Sequence, residues 1–196
     1  MGTVNVFDAA RSCAATKAIV NVTSDKCYEN LEKDIAYKET DRFGGYDPYS
    51  ASKGAAELVV NSYRNSFFNL AKYKTTHHIL LASARAGNVI GGGDWSDDRL
   101  IPDIAKAQSA TKPVLIRNPK ATRPWQHVLE PLSGYLLLGQ LLLEEKTEAA
   151  EGWNFGPEKN EVFTVEEVLS QMKKVWTNIE YTVERNANQP HEASLL

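Results

Sequence analysis

Tyr49 and Lys53 stand four residues apart in Asp47-Pro48-Tyr49-Ser50-Ala51-Ser52-Lys53. That spacing places both side chains on one face of a helix, one turn apart. A phenol is a poor base at neutral pH, and a neighbouring ammonium favours its phenolate form, so such a pair can take a proton from a substrate hydroxyl. Taken alone, the spacing suits a solvated helix face equally well. A second set of candidates lies earlier, in Val22-Thr23-Ser24-Asp25-Lys26-Cys27-Tyr28, where a hydroxyl residue is followed by two ionisable ones. An acid and a base side by side could move protons in opposite directions. Asp25 and Lys26 supply one side chain of each charge, and the sequence does not decide which plays which part. Away from a Tyr-Lys helix the pair reads as surface charge.

The elements around these residues alternate. Val4, Val6, Phe7, Ala10 and Cys13 fit an amphipathic helix capped by Thr3. Ala18 to Thr23 reads as a short buried strand that delivers Ser24, Asp25 and Lys26 to its end. A long helix starts near Pro48, where proline is tolerated in a first turn, and carries Tyr49 and Lys53. His78 to Arg85 reads as the next strand and runs into the loop Gly91-Gly92-Gly93-Asp94. Helix, strand, helix, strand in this order implies crossover connections, hence an α/β fold with a parallel sheet and helices on both faces.

Beyond Asp94 the elements shorten: a helix from Arg99 to Gln108, a strand Val114 to Ile116 and a helix from Val128 to about Glu145. They are followed by a strand Trp153 to Phe155, a helix Val165 to Trp176 capped by Thr164, and a strand Tyr181 to Val183. The apolar stretch Tyr135 to Leu143 is far shorter than the ~20 residues of a membrane span and reads as a buried helix.

The 196 residues are 42% hydrophobic and 24% charged, the composition of a globular protein with a core. A net charge of -3 gives no basic field to attract nucleic acid or an anionic membrane, so any bound anion must be held locally. Cys13 and Cys27 lack the spacing of a zinc site or a redox pair, and two free thiols suit a cytoplasmic location. His77, His78 and His127 are not at metal-ligand spacing either, and no metal site is expected.

Together the two motifs resemble the active site of the extended short-chain dehydrogenases/reductases of the NAD-dependent epimerase/dehydratase type. The helix at Tyr49 is similar to their Tyr-x-x-x-Lys helix, and Thr23-Ser24-Asp25-Lys26-Cys27-Tyr28-Glu29-Asn30 to their preceding strand end. The resemblance implies the second half of a Rossmann-like doubly wound sheet over residues 1–90. Residues 91–196 would form mostly a smaller mixed α/β nucleotide-sugar lobe, with a strand near 152–156 returning to the sheet. It also implies that Tyr49 is the base toward a sugar hydroxyl, that Lys53 tunes it and holds the nicotinamide ribose of NAD, and that Ser24 bonds the same oxygen. The Asp25-Lys26 pair is similar to that of the 4,6-dehydratases acting on CDP-glucose. It implies a lyase of deoxysugar biosynthesis, as for lipopolysaccharide O-antigen, converting CDP-glucose to CDP-4-keto-6-deoxyglucose with bound NAD. A nucleotide-sugar epimerase, a dTDP- or GDP-sugar dehydratase, and a non-catalytic remnant are the alternatives.

Arg85-Ala86-Gly87-Asn88-Val89-Ile90-Gly91-Gly92-Gly93-Asp94 resembles the family's loop between cofactor and substrate, with Asn88 toward the sugar or its phosphate. Arg99, Arg117 and Arg123 lie in segments similar to the nucleotide-binding lobe, where a planar guanidinium grips two diphosphate oxygens at once; Arg123 is the first choice. Trp125 is either part of that lobe or core packing. Pro190-His191-Glu192-Ala193 resembles a late segment near the nucleotide. The family's chains are longer at the front, where a glycine-rich turn holds the dinucleotide pyrophosphate. The expectation is therefore a fragment lacking the Gly-rich N-terminal half and the extreme C-terminus, not competent alone, of a protein that is a homo-oligomer in its full-length form.

Overall fold

Leucine and alanine alternate with serine and arginine in Leu80-Leu81-Ala82-Ser83-Ala84-Arg85-Ala86, and every residue of this strand is buried. Side chains alternate between the two faces of a sheet, so Leu81, Ser83 and Arg85 share one face and Leu80, Ala82 and Ala84 the other. In the computed structural model, which describes residues 1–33, 35–158 and 162–183, this is the middle strand of a three-stranded parallel sheet. Burial on both faces is what a central parallel strand requires.

Along the chain, helix α1 (Gly2–Arg11) precedes strand β1 (Ala18–Val22), and helix α2 (Pro48–Asn65) leads to the central strand β2 (Leu80–Ala86). Strand β3 (Val89–Ile90), helix α3 (Leu100–Ser109) and strands β4 (Val114–Ile116), β5 (Thr122–Arg123) and β6 (Gln126–His127) follow. Helix α4 (Leu129–Leu143), strand β7 (Gly152–Phe155), strand β8 (Phe163–Thr164), helix α5 (Val165–Val175) and strand β9 (Tyr181–Val183) complete it.

Two compact units divide these elements. The first comprises residues 1–31, 35–87 and 129–156, and the second residues 32–34, 88–128 and 157–196. The boundary thus falls at Gly87, and α4 groups with the sheet as β7 does, whereas the sequence assigned only the strand near 152–156 to it. In the first unit the sheet runs β1-β2-β7, with Ala18 opposite Leu80 and Ser83 opposite Gly152. Phe7 and Ala10 of α1, Val60 and Tyr63 of α2, Phe68, Ile79 and Leu81 pack on one face. Leu138 and Leu142 of α4 join Leu80, Ala82, Ala84, Ala149 and Ala150 on the other. In the second unit, Ile104, Leu169 and Ile179 pack with Val114 and Ile116 of β4, which pairs in parallel with β9; β3 pairs in parallel with β6 and β5 antiparallel with β8.

Three local expectations change. Thr3 lies inside α1 and not at its cap, because the helix begins at Gly2 with Met1 before it and no side-chain bond closes that end. The strand expected to start at His78 starts at Leu80, since the His77 ring turns back on the chain, its Nε2 2.9 Å from the Asn69 carbonyl. Only one side of α4 is buried: Leu138 and Leu142 are covered, and Leu136 is 76% exposed. By contrast, Thr164 caps α5 as expected, in a reciprocal capping box with Glu167. Among the described residues no helix is long and apolar enough to cross a membrane.

The start of α2 is fixed by Asp47, whose Oδ1 accepts the Tyr49 and Ser50 backbone N–H groups at 2.9 and 3.0 Å while Oδ2 accepts the Ser50 hydroxyl at 2.6 Å. The Ser50 side-chain bond, then the backbone bond from Ser50, hold the Asp47 carboxyl below its ordinary value. A lowered carboxyl stabilises the fold above the unfolded-state value near ~3.9 and loses that contribution as the pH falls through the folded value. Asp47→Ala is expected to cost about 0.5–2 kcal/mol in urea unfolding at pH 7. Asp47→Asn, which keeps a capping oxygen, should retain most of that stability and show a shallower loss of it on acidification below about pH 4.

Candidate active site

A helix that follows a strand in a parallel sheet runs back along it, so the start of α2 lies at the end of the sheet where β1 stops. Open α/β sheets bind their ligands at that carboxyl end. Tyr49, in the first turn of α2, is half-exposed, and the Lys53 ammonium lies 5.5 Å from the centre of its ring. The cap at Asp47 therefore fixes the turn from which the phenol projects. Lys26 bears on the same spot, its charge adding to the lowering of the Asp47 carboxyl.

Beyond Val22 the ladder continues for one bond, from the Thr23 N–H to the Ala84 carbonyl at 2.9 Å. The chain then turns through a single 3-10 turn, Asp25–Cys27. Ser24 caps it: its Oγ accepts the Lys26 N–H at 3.2 Å and donates to Asp25 Oδ1 at 2.8 Å. Ser24 is buried, while Asp25 and Lys26 are partly exposed. The serine hydroxyl thus orients the aspartate. Cys27 points inward, and burial first, then the charge of Glu57, pushes its thiol up to about 12.

Small residues bring the turn and the helix together. Gly54, next to Lys53, faces the turn: a Cβ there would lie 2.5 Å from the Gly44 carbonyl oxygen and 3.2 Å from that of Cys27. Gly44 itself donates its N–H to the Cys27 carbonyl at 2.9 Å. A Cβ on Gly45 would come within 2.1 Å of the Ala51 nitrogen. The two halves of the motif are thus packed backbone to backbone, closer than any side chain allows.

Behind them lies a charge pair that the sequence reading did not single out. Glu57, two turns beyond Tyr49, is fully buried, and its Oε2 accepts from Arg85 Nη2 at 2.7 Å. Its Oε1 accepts the hydroxyls of Thr23 and Ser83. Arg85 Nη1 donates to the Tyr28 phenol at 2.7 Å, and Tyr28 donates to Asn154 Oδ1 on β7 at 2.8 Å. Burial opposes the Arg85 charge, but the hydrogen bond and charge of Glu57 outweigh it and leave the guanidinium above its ordinary value. Burial raises the Tyr28 phenol, more than its hydrogen bond with Arg85 lowers it. The signal was present as two polar residues two apart in an apolar strand, Ser83 and Arg85, with a carboxylate at the four-residue spacing of Tyr49 and Lys53.

The second unit holds the remaining candidates. Arg123 is buried and donates from Nη1 to the Thr122 carbonyl at 2.7 Å. Arg99 and Arg117 are exposed, the first 3.8 Å from Asp94 and the second bonded to Asp98. Asn88 is half-buried and its carbonyl accepts the Gln126 N–H at 3.1 Å. Trp125 donates its indole N–H to the Phe163 carbonyl at 3.1 Å. The segment from Pro190 to Ala193 lies outside the described residues. Among the described residues, no three His, Cys, Asp or Glu side chains are grouped to hold a metal ion.

One end of the sheet thus carries a tyrosine-lysine helix beside a serine-aspartate-lysine turn, and comparison with known proteins gives the family. The chain belongs to the GDP-mannose 4,6 dehydratase family, whose model matches residues 1–193. It is 52% identical over all its 196 residues to a CDP-glucose 4,6-dehydratase of Salmonella typhimurium, of which it covers 54%. The solved structures it matches include dTDP-glucose 4,6-dehydratase of Bacillus anthracis in complex with NAD, with a TM-score of 0.74 and 22% identity over 94% of this chain and 55% of that one. UDP-glucose 4-epimerase of Thermus thermophilus, also in complex with NAD, gives 0.77 and 20% over 99% of this chain and 58% of that one. These two establish the Rossmann-like fold. The chain spans about half the length of the dehydratases it matches.

Gly54→Ala should test the backbone packing. Overfilling a packed interior typically costs ~1–3 kcal/mol, so a fall in thermal or urea stability of that size is expected. Native wild type should expose one thiol, Cys13, to a disulfide reagent at pH 8 and two after denaturation. In Gly54→Ala the Cys27 thiol should become reactive without denaturant.

Proposed function

We propose that the protein carrying this chain is an NAD-dependent 4,6-dehydratase acting on CDP-glucose. The observation that carries the reading is the Ser24-Asp25-Lys26 turn locked against the helix of Tyr49 and Lys53 at the carboxyl end of a parallel sheet. The 52% identity over the whole of this chain to part of a CDP-glucose 4,6-dehydratase supports the substrate. An epimerase has no hydroxyl to expel and no use for two extra ionisable groups, so Asp25 and Lys26 favour dehydration.

The net reaction loses one water and is redox-neutral. Bound NAD supplies the acceptor for the hydride from C4 and its return to C6. Tyr49 takes the proton of the C4 hydroxyl as C4 becomes a ketone, and Lys53, one turn away with its ammonium 5.5 Å from the ring, supports it and holds the nicotinamide ribose. Ser24 bonds the same sugar oxygen. The new ketone acidifies the C5–H. One of Asp25 and Lys26 removes that proton, and the other protonates the C6 hydroxyl as it leaves as water. Hydride then adds to C6 and a proton to C5, giving the 4-keto-6-deoxy sugar. Tyr49 and Lys53 suit the nicotinamide end of the dinucleotide, since they are half-exposed at the sheet end where such ligands bind. Asn88, Arg99, Arg117 and Arg123 are the candidates for the phosphates and nucleotide, with the buried, planar Arg123 the strongest.

The chain joined to the remaining portion of the Salmonella typhimurium relative is the form to assay. In single-turnover mixtures with CDP-glucose, analysed by mass after quenching, Tyr49→Phe should return the sugar unchanged. Asp25→Asn should still oxidise C4 and accumulate an unhydrolysed, undehydrated 4-ketone, with elimination slowed by ~10²–10⁴-fold. Normal product from both variants would reject the site, and a 4-ketone from Tyr49→Phe would reject its role as base.

A further inference from the structure

We infer that Thr23 and Glu57 are positioning residues, which set the register of the Tyr49 helix against the Ser24-Asp25-Lys26 turn. The inference rests on the active site proposed above and adds to it the device that aligns its two halves. Tyr49, Lys53 and Glu57 follow one another at four-residue intervals along α2, and this row runs from an exposed phenol at the helix start to a carboxylate that the sheet covers two turns on. That carboxylate is fully buried and receives donors from two other elements. Arg85 and Ser83 come from β2, and Thr23 from the end of β1.

Thr23 immediately precedes Ser24, whose hydroxyl orients Asp25. A chain of bonds therefore runs from the Glu57 carboxylate through Thr23 to the acid-base turn, and along α2 from Glu57 to Lys53 and Tyr49. Hydrophobic contacts alone leave a helix free to slide or roll by fractions of an ångström, whereas a carboxylate with three directed donors fixes both its axial position and its rotation. Shifts of ~1 Å in reacting groups can cost ~10²-fold in rate.

The Thr23 hydroxyl is the link that can be cut alone. Thr23→Val keeps the shape and leaves Glu57 bonded to Ser83 and Arg85, so the fold should persist; Thr23→Ser keeps the hydroxyl. In the completed enzyme, Thr23→Val should lower kcat for CDP-glucose ~10- to 100-fold with KM within about twofold, and Thr23→Ser should restore most of the loss. In the 196-residue chain itself, hydrogen exchange of the amides of residues 24–28 should quicken in Thr23→Val and recover in Thr23→Ser, with β2 and α4 unaffected. Tyr49→Phe is the control that separates the two ideas. If Tyr49→Phe is inactive while Thr23→Val keeps wild-type kcat, the positioning role is wrong and the site stands. If Tyr49→Phe turns over normally, the proposed function fails, and the exchange data then decide the link: unchanged protection of residues 24–28 in Thr23→Val overturns it.

Discussion

A carboxylate and a guanidinium removed from water, Glu57 and Arg85, sit between the helix of Tyr49 and Lys53 and the central strand. Each charge alone would be costly in that interior, and breaking such a pair by removing one partner typically destabilises by ~3–5 kcal/mol. The pair persists because nearly every other acceptor and donor around it is matched. Thr23 and Ser83 complete the carboxylate, and Tyr28 and the Glu39 carbonyl bond the guanidinium. Directed bonds thus tie the pair on α2 and β2 to the end of β1, and through Tyr28 to Asn154 of β7.

Steric relief by glycine complements that electrostatic anchor. Gly54 lets α2 approach the 25–27 turn until carbonyl oxygens, not side chains, define the contact. The anchor and the close approach lie on adjacent positions of one helical face, with Tyr49 and Lys53 beside them. The buried side of the helix is the stripe Ser50, Gly54, Glu57 and Val60. The same logic explains why Cys27 is a poor nucleophile. It fills the space under the turn, and burial next to a carboxylate keeps its sulfur protonated.

Much of this was legible residue by residue. The starts of β1 and α2 fall where Ala18 and Pro48 placed them, because a short apolar run and a proline at a first turn are local signals. The Thr164 cap of α5 is equally local, since Thr164 and Glu167 need only each other. Thr3 misled for the same reason: its capping propensity is real, but a helix in a packed face can begin where its apolar positions demand. Leu136 and its neighbours misled because an apolar helix carries no mark of which side is covered. The grouping of α4 with the sheet likewise depends on where Leu138 and Leu142 find Leu80 and Ala84.

The sequence by itself determined the order of the longer strands and helices but not the two-residue strands β3, β5, β6 and β8, which form only by pairing with distant segments; it also determined the presentation of Tyr49 and Lys53 on one helical face and the placement of Ser24, Asp25 and Lys26 at a strand end. Each depends on spacing within a few residues, which backbone geometry converts directly into position. Only the tertiary structure decided that Glu57, Arg85, Thr23, Ser83, Tyr28 and Asn154 form one bonded cluster. Their separations along the chain reach 126 residues, between Tyr28 and Asn154. A buried polar group must find its partner wherever the fold brings one, and no local pattern states which distant hydroxyl or guanidinium will satisfy a carboxylate on a helix.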